Sequence, residues 1–166
     1  MRTLPLACLA AGLVGMAVVP ARADLNNADR SFIEQAASGG MAEIQSAQLA
    51  QRSNSPQVKQ FANRVIADHT QANSELQQIA QDQNVTLPEQ PSAKDASAYR
   101  RLIGLTGTAF DQANAQAEVS DHQQDIALFR KEAQSGQDPT VKSFAQKTLP
   151  LLVQHLQLAQ ALNRNQ

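Results

Sequence analysis

Apolar residues recur every three or four positions along most of this chain, the spacing of side chains on one face of an α-helix. Four long stretches carry this period: residues 29–52, 56–79, 109–133 and 139–162. None of them shows the strict alternation of apolar and polar residues that is typical of a half-buried β-strand. The pattern therefore predicts an all-α protein with four long helices.

The second and fourth helices begin in the same way. In Ser55-Pro56 and in Asp138-Pro139 a capping side chain comes directly before a proline. The proline then occupies the first helical position, which needs no donor N–H. Segment 84–93 lies between the two halves and contains two prolines, which break a helix. A short helix is predicted after it, over residues 95–105. The chain therefore predicts a four-helix bundle built from two helical hairpins, with a long crossover connection and a short extra helix.

The first 23 residues have the features of a cleaved signal peptide. Arg2 supplies a positive start, residues 4–19 form an apolar run, and Ala21-Arg22-Ala23 matches the small-x-small pattern of a cleavage site. The run is short for a membrane-spanning helix, which needs about 20 apolar residues, and no second run follows it. We therefore expect a single domain over 24–166, periplasmic or secreted, without a transmembrane segment after cleavage.

The charge and cysteine content exclude some classes of partner. Arg2 and Arg22 lie in the predicted leader, so 12 of the 14 basic residues remain against 15 acidic ones, and no basic patch points to nucleic acid. The single cysteine, Cys8, also lies in the leader, so the domain must fold without disulfides. Glutamine-rich exposed faces allow a protein partner without naming one, and the oligomeric state stays open.

The polar residues on the apolar stripes are the most informative feature. The chain has three histidines, His69, His122 and His155, and each lies on the stripe of a different long helix, while Glu43 has a comparable position on the remaining one. Glu43 and His69 are each 13 residues from Pro56, so an antiparallel hairpin brings them to the same height. His122 and His155 are level in the second hairpin by the same argument. The spacing therefore predicts one polar cluster near the middle of the bundle.

Three imidazoles and one carboxylate suit a transition-metal ion: zinc or iron first, with copper and nickel also compatible. Four further carboxylates are candidates to orient the imidazoles from a second layer: Asp68, Asp111, Glu118 and Asp121. Two metal-free interpretations stand beside this one. The histidines could form a hydrogen-bonded core network, or Glu43 could form a buried ion pair with a protonated histidine.

The sequence contains no recognisable catalytic motif. A di-iron bundle needs a carboxylate three residues before a histidine on two helices, but Ile66, Val119 and Leu152 occupy those positions. A cysteine nucleophile, a glycine-rich phosphate loop and a His-Glu-x-x-His motif are also missing. We therefore predict no catalytic residues and favour metal binding or sensing. The alternatives are a metal-free structural or stress-related interaction module and, third, a redox or hydrolytic enzyme with an open metal position.

Five spaced motifs over residues 29–162 resemble the bacterial family called domain of unknown function 4142. In order they are Met41-Ala42-Glu43-Ile44, Asp68-His69, Phe110-Asp111 with His122, Leu149-Pro150, and His155-Leu156. The resemblance implies an exported protein with a ferritin-like four-helix fold and no assigned activity. The family commonly has an aromatic residue near the place of Asn114, so this chain departs from the pattern there. Pro150 frees the carbonyl of Gln146 and bends the helix axis, and the sequence leaves open whether this bend serves His155.

Overall fold

A computed structural model describes residues 25–165 and contains five helices. They are α1 (Asn27–Ala50), α2 (Pro56–Asp82), α3 (Ala93–Ile103), α4 (Gly107–Ser135) and α5 (Pro139–Asn165). No strand occurs within these residues, so the predicted all-α class is confirmed. The predicted signal peptide, residues 1–23, lies outside the described part of the chain.

The helix starts follow from local capping chemistry. Ser55 Oγ accepts the Val58 N–H, and Asp138 Oδ1 accepts the N–H groups of Thr140 and Val141, so both predicted cap-and-proline starts are confirmed. The short helix α3 begins two residues earlier than predicted because Ser92 caps it, its hydroxyl oxygen accepting the Asp95 N–H.

The four long helices form a bundle in which sequential partners pack together. Helix α1 packs on α2 and α4 packs on α5, while α2 also contacts α5 and α1 contacts α4. Helix α3 lies against α1 and α4, so segment 83–92 and α3 together form the crossover between the two hairpins. No helix within residues 25–165 combines the length and the apolar character that a membrane span requires.

One end of the bundle is joined by a set of polar residues that are buried or half-buried, which we call the end cluster: Asn26, Asp29, Gln83, Glu132 and Asp138. Asp29 is 1% exposed and accepts the backbone N–H groups of Gln137 and Asp138 at 3.1 and 2.6 Å and the Asn26 amide at 2.8 Å. Asp138 in turn accepts the Gln83 amide at 2.9 Å. The start of α1, the end of α2 and the α4–α5 turn are therefore joined at this end.

The other end is joined by Arg52, which follows α1. Its guanidinium donates to the carbonyl oxygens of Leu102, Ile103 and Leu105 at 2.6, 3.1 and 2.6 Å and lies 4.4 Å from the centre of the Phe110 ring. The turn after α1 thus meets the connection between α3 and α4. Both hairpins therefore run antiparallel along the whole bundle.

The apolar core falls into two clusters with a polar layer between them. One, near the end cluster, contains Phe32, Phe129 and Phe144 in mutual edge or tilted contact, with centroids 4.9 to 6.4 Å apart. The other contains Val58, Phe61 and Phe110 at the opposite end. The three histidines lie between the two clusters.

Helix α1 approaches α2 closely beside this layer. A Cβ added at Gly40 would lie 2.1 Å from Asn73 Oδ1, so a larger residue would force the α2 side chain to move. The sequence left open whether Gly39-Gly40 weakens α1 or allows a close approach. The structure shows the close approach, at Gly40, within an uninterrupted helix.

Candidate metal centre

The three histidines converge as their spacing predicted. Their ring centroids lie 5.3 Å apart for His122 and His155, 5.5 Å for His69 and His155, and 5.9 Å for His69 and His122. One ring nitrogen of each lies within 4.8 Å of the others. His122 and His155 are fully buried and His69 is 5% exposed, so bulk water does not reach these rings.

Hydrogen bonds indicate which nitrogens carry protons. His122 Nδ1 lies 2.9 Å from the carbonyl oxygen of Glu118, which can only accept, so this nitrogen is the donor. His155 Nε2 lies 2.9 Å from Asp68 Oδ2 and donates to that carboxylate. In a neutral imidazole the remaining nitrogen carries a lone pair. When both rings are neutral, His122 Nε2 and His155 Nδ1, which are 3.2 Å apart, face each other as two acceptors.

His69 supplies a third candidate ligand atom. Its Nε2 is buried and has no hydrogen-bond partner among residues 25–165. Burial and the neighbouring His122 and His155 lower the pKa of His69 to about 3, and burial also lowers the pKa of His155. Both imidazoles are therefore neutral near pH 7.

This arrangement fits the geometry of a transition-metal ion. Histidine nitrogens bind zinc at about 2.0–2.1 Å, so two of them on one tetrahedral ion lie roughly 3.3 Å apart. The 3.2 Å between His122 Nε2 and His155 Nδ1 is close to that value. The buried histidines could therefore hold an ion after small movements of the side chains.

Asp68 orients His155 and not its neighbour in sequence, His69. Its Oδ2 accepts from His155 and also from Arg64 Nε, at 2.6 Å, and Arg64 in turn reaches Gln154 at 2.8 Å. Burial alone would raise the Asp68 pKa, but the bonds from Arg64 and His155 lower it below its usual value. The carboxylate thus stays ionised and fixes the tautomer of His155, as second-layer carboxylates do at metal sites. Arg64 was missed in the sequence because it lies outside the apolar stripe.

Glu43 and Glu118 lie on the other side of His122. Glu43 Oε1 and Glu118 Oε2 are each 3.7 Å from His122 Nδ1, the nitrogen that faces away from His155. With His122 they form a second group that could hold an ion, separate from the three histidines. The geometry therefore places the predicted fourth ligand, Glu43, beside the three-histidine group and not within it.

The two glutamates behave as a coupled pair. Both are at least 95% buried and share a hydrogen bond, and burial raises the pKa of each well above its usual value. Glu43 Oε2 and Glu118 Oε2 have no hydrogen-bond partner in the described part of the chain. We call Glu43, Asp68, His69, Glu118, His122 and His155 the central cluster.

The other predicted second-layer residues lie farther from the imidazoles. Asp111 is buried, but it precedes His122 by 11 residues of α4, about 16 Å at the usual helix rise, and so cannot contact that ring. Asp121 is half-buried and its pKa is raised by burial and by nearby Asp95. Asp125 was not predicted, although it follows His122 by three residues on the same face of α4. Burial raises its pKa to about 6.

A cavity of about 480 Å³ opens between α1, α3 and α4. Glu43 and Gly39 contribute to its wall from α1, Asp121 and Asp125 from α4, and Tyr99 from α3. Glu43 therefore borders the cavity and also approaches His122. Nothing in the sequence pattern indicated this cavity, because it depends on where the crossover places α3.

The described residues thus form an all-α protein whose buried histidine and glutamate groups could hold a metal ion. The chain belongs to the family described as domain of unknown function (DUF4142), which matches residues 15–162, and this confirms the family resemblance. No curated protein matches the sequence significantly. A solved structure, the crystal structure of a DUF305 fragment from Deinococcus radiodurans, is similar in fold with a TM-score of 0.76. It is 11% identical in sequence, and the match covers 86% of this chain and 99% of the fragment.

Proposed function

We propose that this protein binds one transition-metal ion, zinc or iron first, through His69, His122 and His155. The observation that carries the proposal is the convergence of buried imidazoles: His122 Nε2 and His155 Nδ1 lie 3.2 Å apart, and the other nitrogen of each ring is bonded elsewhere. Two unprotonated nitrogens at this distance repel each other unless a proton or a metal ion lies between them. The unpartnered Nε2 of His69 supports the same conclusion.

Binding or sensing fits this centre better than turnover. The ligand set is three imidazoles, which suits zinc, iron, copper or nickel and disfavours ions that prefer oxygen. The centre is covered by Phe61, which contacts both His122 and His155 with ring centroids 6.3 and 6.2 Å apart. A buried centre of this kind holds an ion tightly but gives a substrate little access.

Elemental analysis of untagged protein tests the proposal. We expect about one metal ion per chain in the wild type and substoichiometric metal in His122→Ala. The matched control is Asn114→Ala, which truncates another buried polar residue of α4 that lies about 12 Å along the helix from His122. Equal metal content in wild type and His122→Ala would contradict the proposal.

The strongest alternative is a metal-free structural or stress-related interaction module. Asp68 beside His155 favours it, because a proton added to His155 would be shared between Asp68 and His122 and would satisfy all three groups. Under this alternative a chelator leaves the melting temperature unchanged. A bound ion instead adds about 2.7 kcal/mol of stability when it is present at a hundred times its Kd, so chelation would lower the melting temperature.

Two further expectations, one on the helix arrangement and one on the location of the protein, belong to the same proposal. The crossover that runs along the bundle supports a ferritin-like arrangement, and the pattern of residues 1–23 supports export to the periplasm or secretion. The mass of the protein recovered from a periplasmic extract tests the second expectation. Cleavage after Ala23 gives a chain that begins at Asp24.

A further inference from the structure

The three-histidine centre raises the question of how an ion reaches it. His122 and His155 are fully buried and His69 is 5% exposed, so no imidazole faces open solvent. Glu43 is the residue that borders both the cavity and the central cluster, since it lines the cavity wall and lies 3.7 Å from His122 Nδ1. The cavity is therefore one route from water towards the histidines that passes polar atoms.

The cavity wall has the charge expected of a route for cations. Five carboxyl side chains and one lysine line it: Glu34, Glu43, Asp95, Asp121, Asp125 and Lys94. An excess of carboxylates around a concave surface raises the local concentration of cations. The volume of about 480 Å³ also accommodates a hydrated ion, because six waters occupy roughly 180 Å³ at about 30 Å³ each.

Two ligand atoms are left over behind the cavity wall, one on Glu43, which lines the cavity, and one on Glu118, which shares a hydrogen bond with Glu43. Glu43 Oε2 and Glu118 Oε2 are buried and lack partners in the part of the chain that the structure describes. Buried polar atoms are normally hydrogen-bonded, so two unpartnered carboxyl oxygens together need an explanation. A cation held between them, with cavity water completing its shell, would provide one and would replace the proton that the pair shares.

We propose that Glu43 and Glu118 form an outer cation site, at which a divalent transition-metal ion from the cavity is held before it moves to the three histidines. The proposal rests on the proposed function. Carboxylate and water ligands hold such ions more weakly and exchange them more readily than three imidazoles do, so the ion gains affinity as it moves inward. The outer site thus governs the rate of uptake, and the histidines govern the equilibrium affinity.

Stopped-flow uptake of Co²⁺ tests this division, because cobalt bound to the histidines absorbs visible light. In Glu43→Gln we expect the uptake rate to fall at least about tenfold while the equilibrium Kd changes less than about threefold, because the release rate falls in parallel when ions leave by the same route. The matched control is Glu75→Gln, which removes a carboxylate that pairs with Lys147 on α5 and does not line the cavity. Its uptake rate should equal that of the wild type.

The alternative outcomes separate the two proposals. An unchanged uptake rate in Glu43→Gln, with tight binding retained, overturns the outer site and leaves the histidine centre standing. A weaker Kd with an unchanged uptake rate makes Glu43 a ligand of the histidine centre and also overturns the outer site. Absence of binding in the wild type removes both proposals, whereas loss of binding in His122→Ala alone supports the histidine centre.

A second variant detects the outer site directly. His155→Ala removes one inner ligand but keeps Glu43, Glu118 and His122. We expect it to retain weak binding of Mn²⁺, observed by electron paramagnetic resonance, and we expect this binding to disappear in the double variant that adds Glu118→Gln. Equal Mn²⁺ binding by the single and double variants would overturn the proposal even if Glu43→Gln did not fold.

Discussion

The bundle contains two largely buried polar clusters whose members differ in how completely their hydrogen bonds are satisfied. In the end cluster Asp29 accepts two backbone N–H groups and one side-chain amide, and these bonds join three segments of the chain. In the central cluster His69, Glu43 and Glu118 each have a buried atom without a partner. The bonds of Asp29 therefore stabilise the fold, whereas the unpartnered atoms of the central cluster weaken it until something binds. The comparison separates Asp29 from the residues of the central cluster by hydrogen bonds and not by burial, and within the end cluster Glu132 Oε1 is also unpartnered.

The largest effect is expected in the end cluster. Asp29→Ala leaves the Gln137 and Asp138 N–H groups and the Asn26 amide without their acceptor, which should cost about 3 to 5 kcal/mol of unfolding free energy. Urea denaturation measures the loss. The exposed Asp82→Ala is the control and should stay within about 0.5 kcal/mol of the wild type. If Asp29→Ala lost no more than about 0.5 kcal/mol of unfolding free energy, the structural role assigned to the end cluster would be wrong.

The pH dependence of stability should sharpen the comparison next. Burial and the hydrogen-bonded Asp29 raise the pKa of Glu132 from 4.5 to about 7, so the folded state binds a proton that the unfolded state has already released. The unfolding free energy should therefore fall as the pH rises from about 4.5 to about 7, by about 2 to 3 kcal/mol from this group. Below that window both states are protonated and the contribution is fully present.

Glu132→Gln removes the titrating group and should remove this part of the pH dependence. Urea denaturation at about pH 5 and about pH 8 measures the difference between variant and wild type. Exposed Glu89→Gln is the control with the same change of charge. A variant whose stability falls with pH as steeply as that of the wild type would show that Glu132 is not the source.

Asp68→Asn should affect metal binding more than stability. The substitution replaces the ionised carboxylate that accepts the His155 N–H with a neutral amide. Loss of such a partner typically weakens metal affinity 10- to 100-fold, or about 1.4 to 2.7 kcal/mol. Competition with a chelator of known affinity measures the change. Arg64→Gln keeps the Asp68–His155 bond and should lose less than about tenfold. Equal affinity in Asp68→Asn and wild type would place Asp68 outside the centre.

The smallest expected effect has the opposite sign. His69→Leu removes a buried nitrogen without a partner and leaves an apolar side chain of similar size, so the metal-free protein should gain about 1 to 2 kcal/mol. Urea denaturation in the presence of a chelator measures this, with His69→Gln as the polar control. A loss of stability in His69→Leu would mean that the central cluster is structural, like the end cluster.

Most of the fold could be predicted from the sequence because its signals are local. Ser55-Pro56 and Asp138-Pro139 define helix starts by capping chemistry alone, and the apolar period identifies the buried faces. The start of α3 was placed two residues late because Ser92, its cap, lies in a segment that reads as a proline-bearing loop. Boundaries of this kind depend on single hydrogen bonds that the period does not reveal.

The central cluster could be predicted only in part. Counting from the prolines of each hairpin brought His122 level with His155, since an antiparallel pair fixes relative height. It could not fix which side of each ring faces which neighbour, and for this reason Glu43 was grouped with all three histidines. The pairing of Asp68 with His155 joins residues 87 positions apart on α2 and α5, and depends on how those helices are rotated.

The position of Tyr99 has a practical consequence. It is the only tyrosine of a chain that lacks tryptophan, and it lines the cavity from α3. The intrinsic ultraviolet fluorescence of the protein therefore originates at one position on the cavity wall. A paramagnetic ion that passes through the cavity should quench the Tyr99 emission before the ion binds to the histidines. The unmodified protein therefore carries its own optical probe for the order of cavity entry and histidine binding.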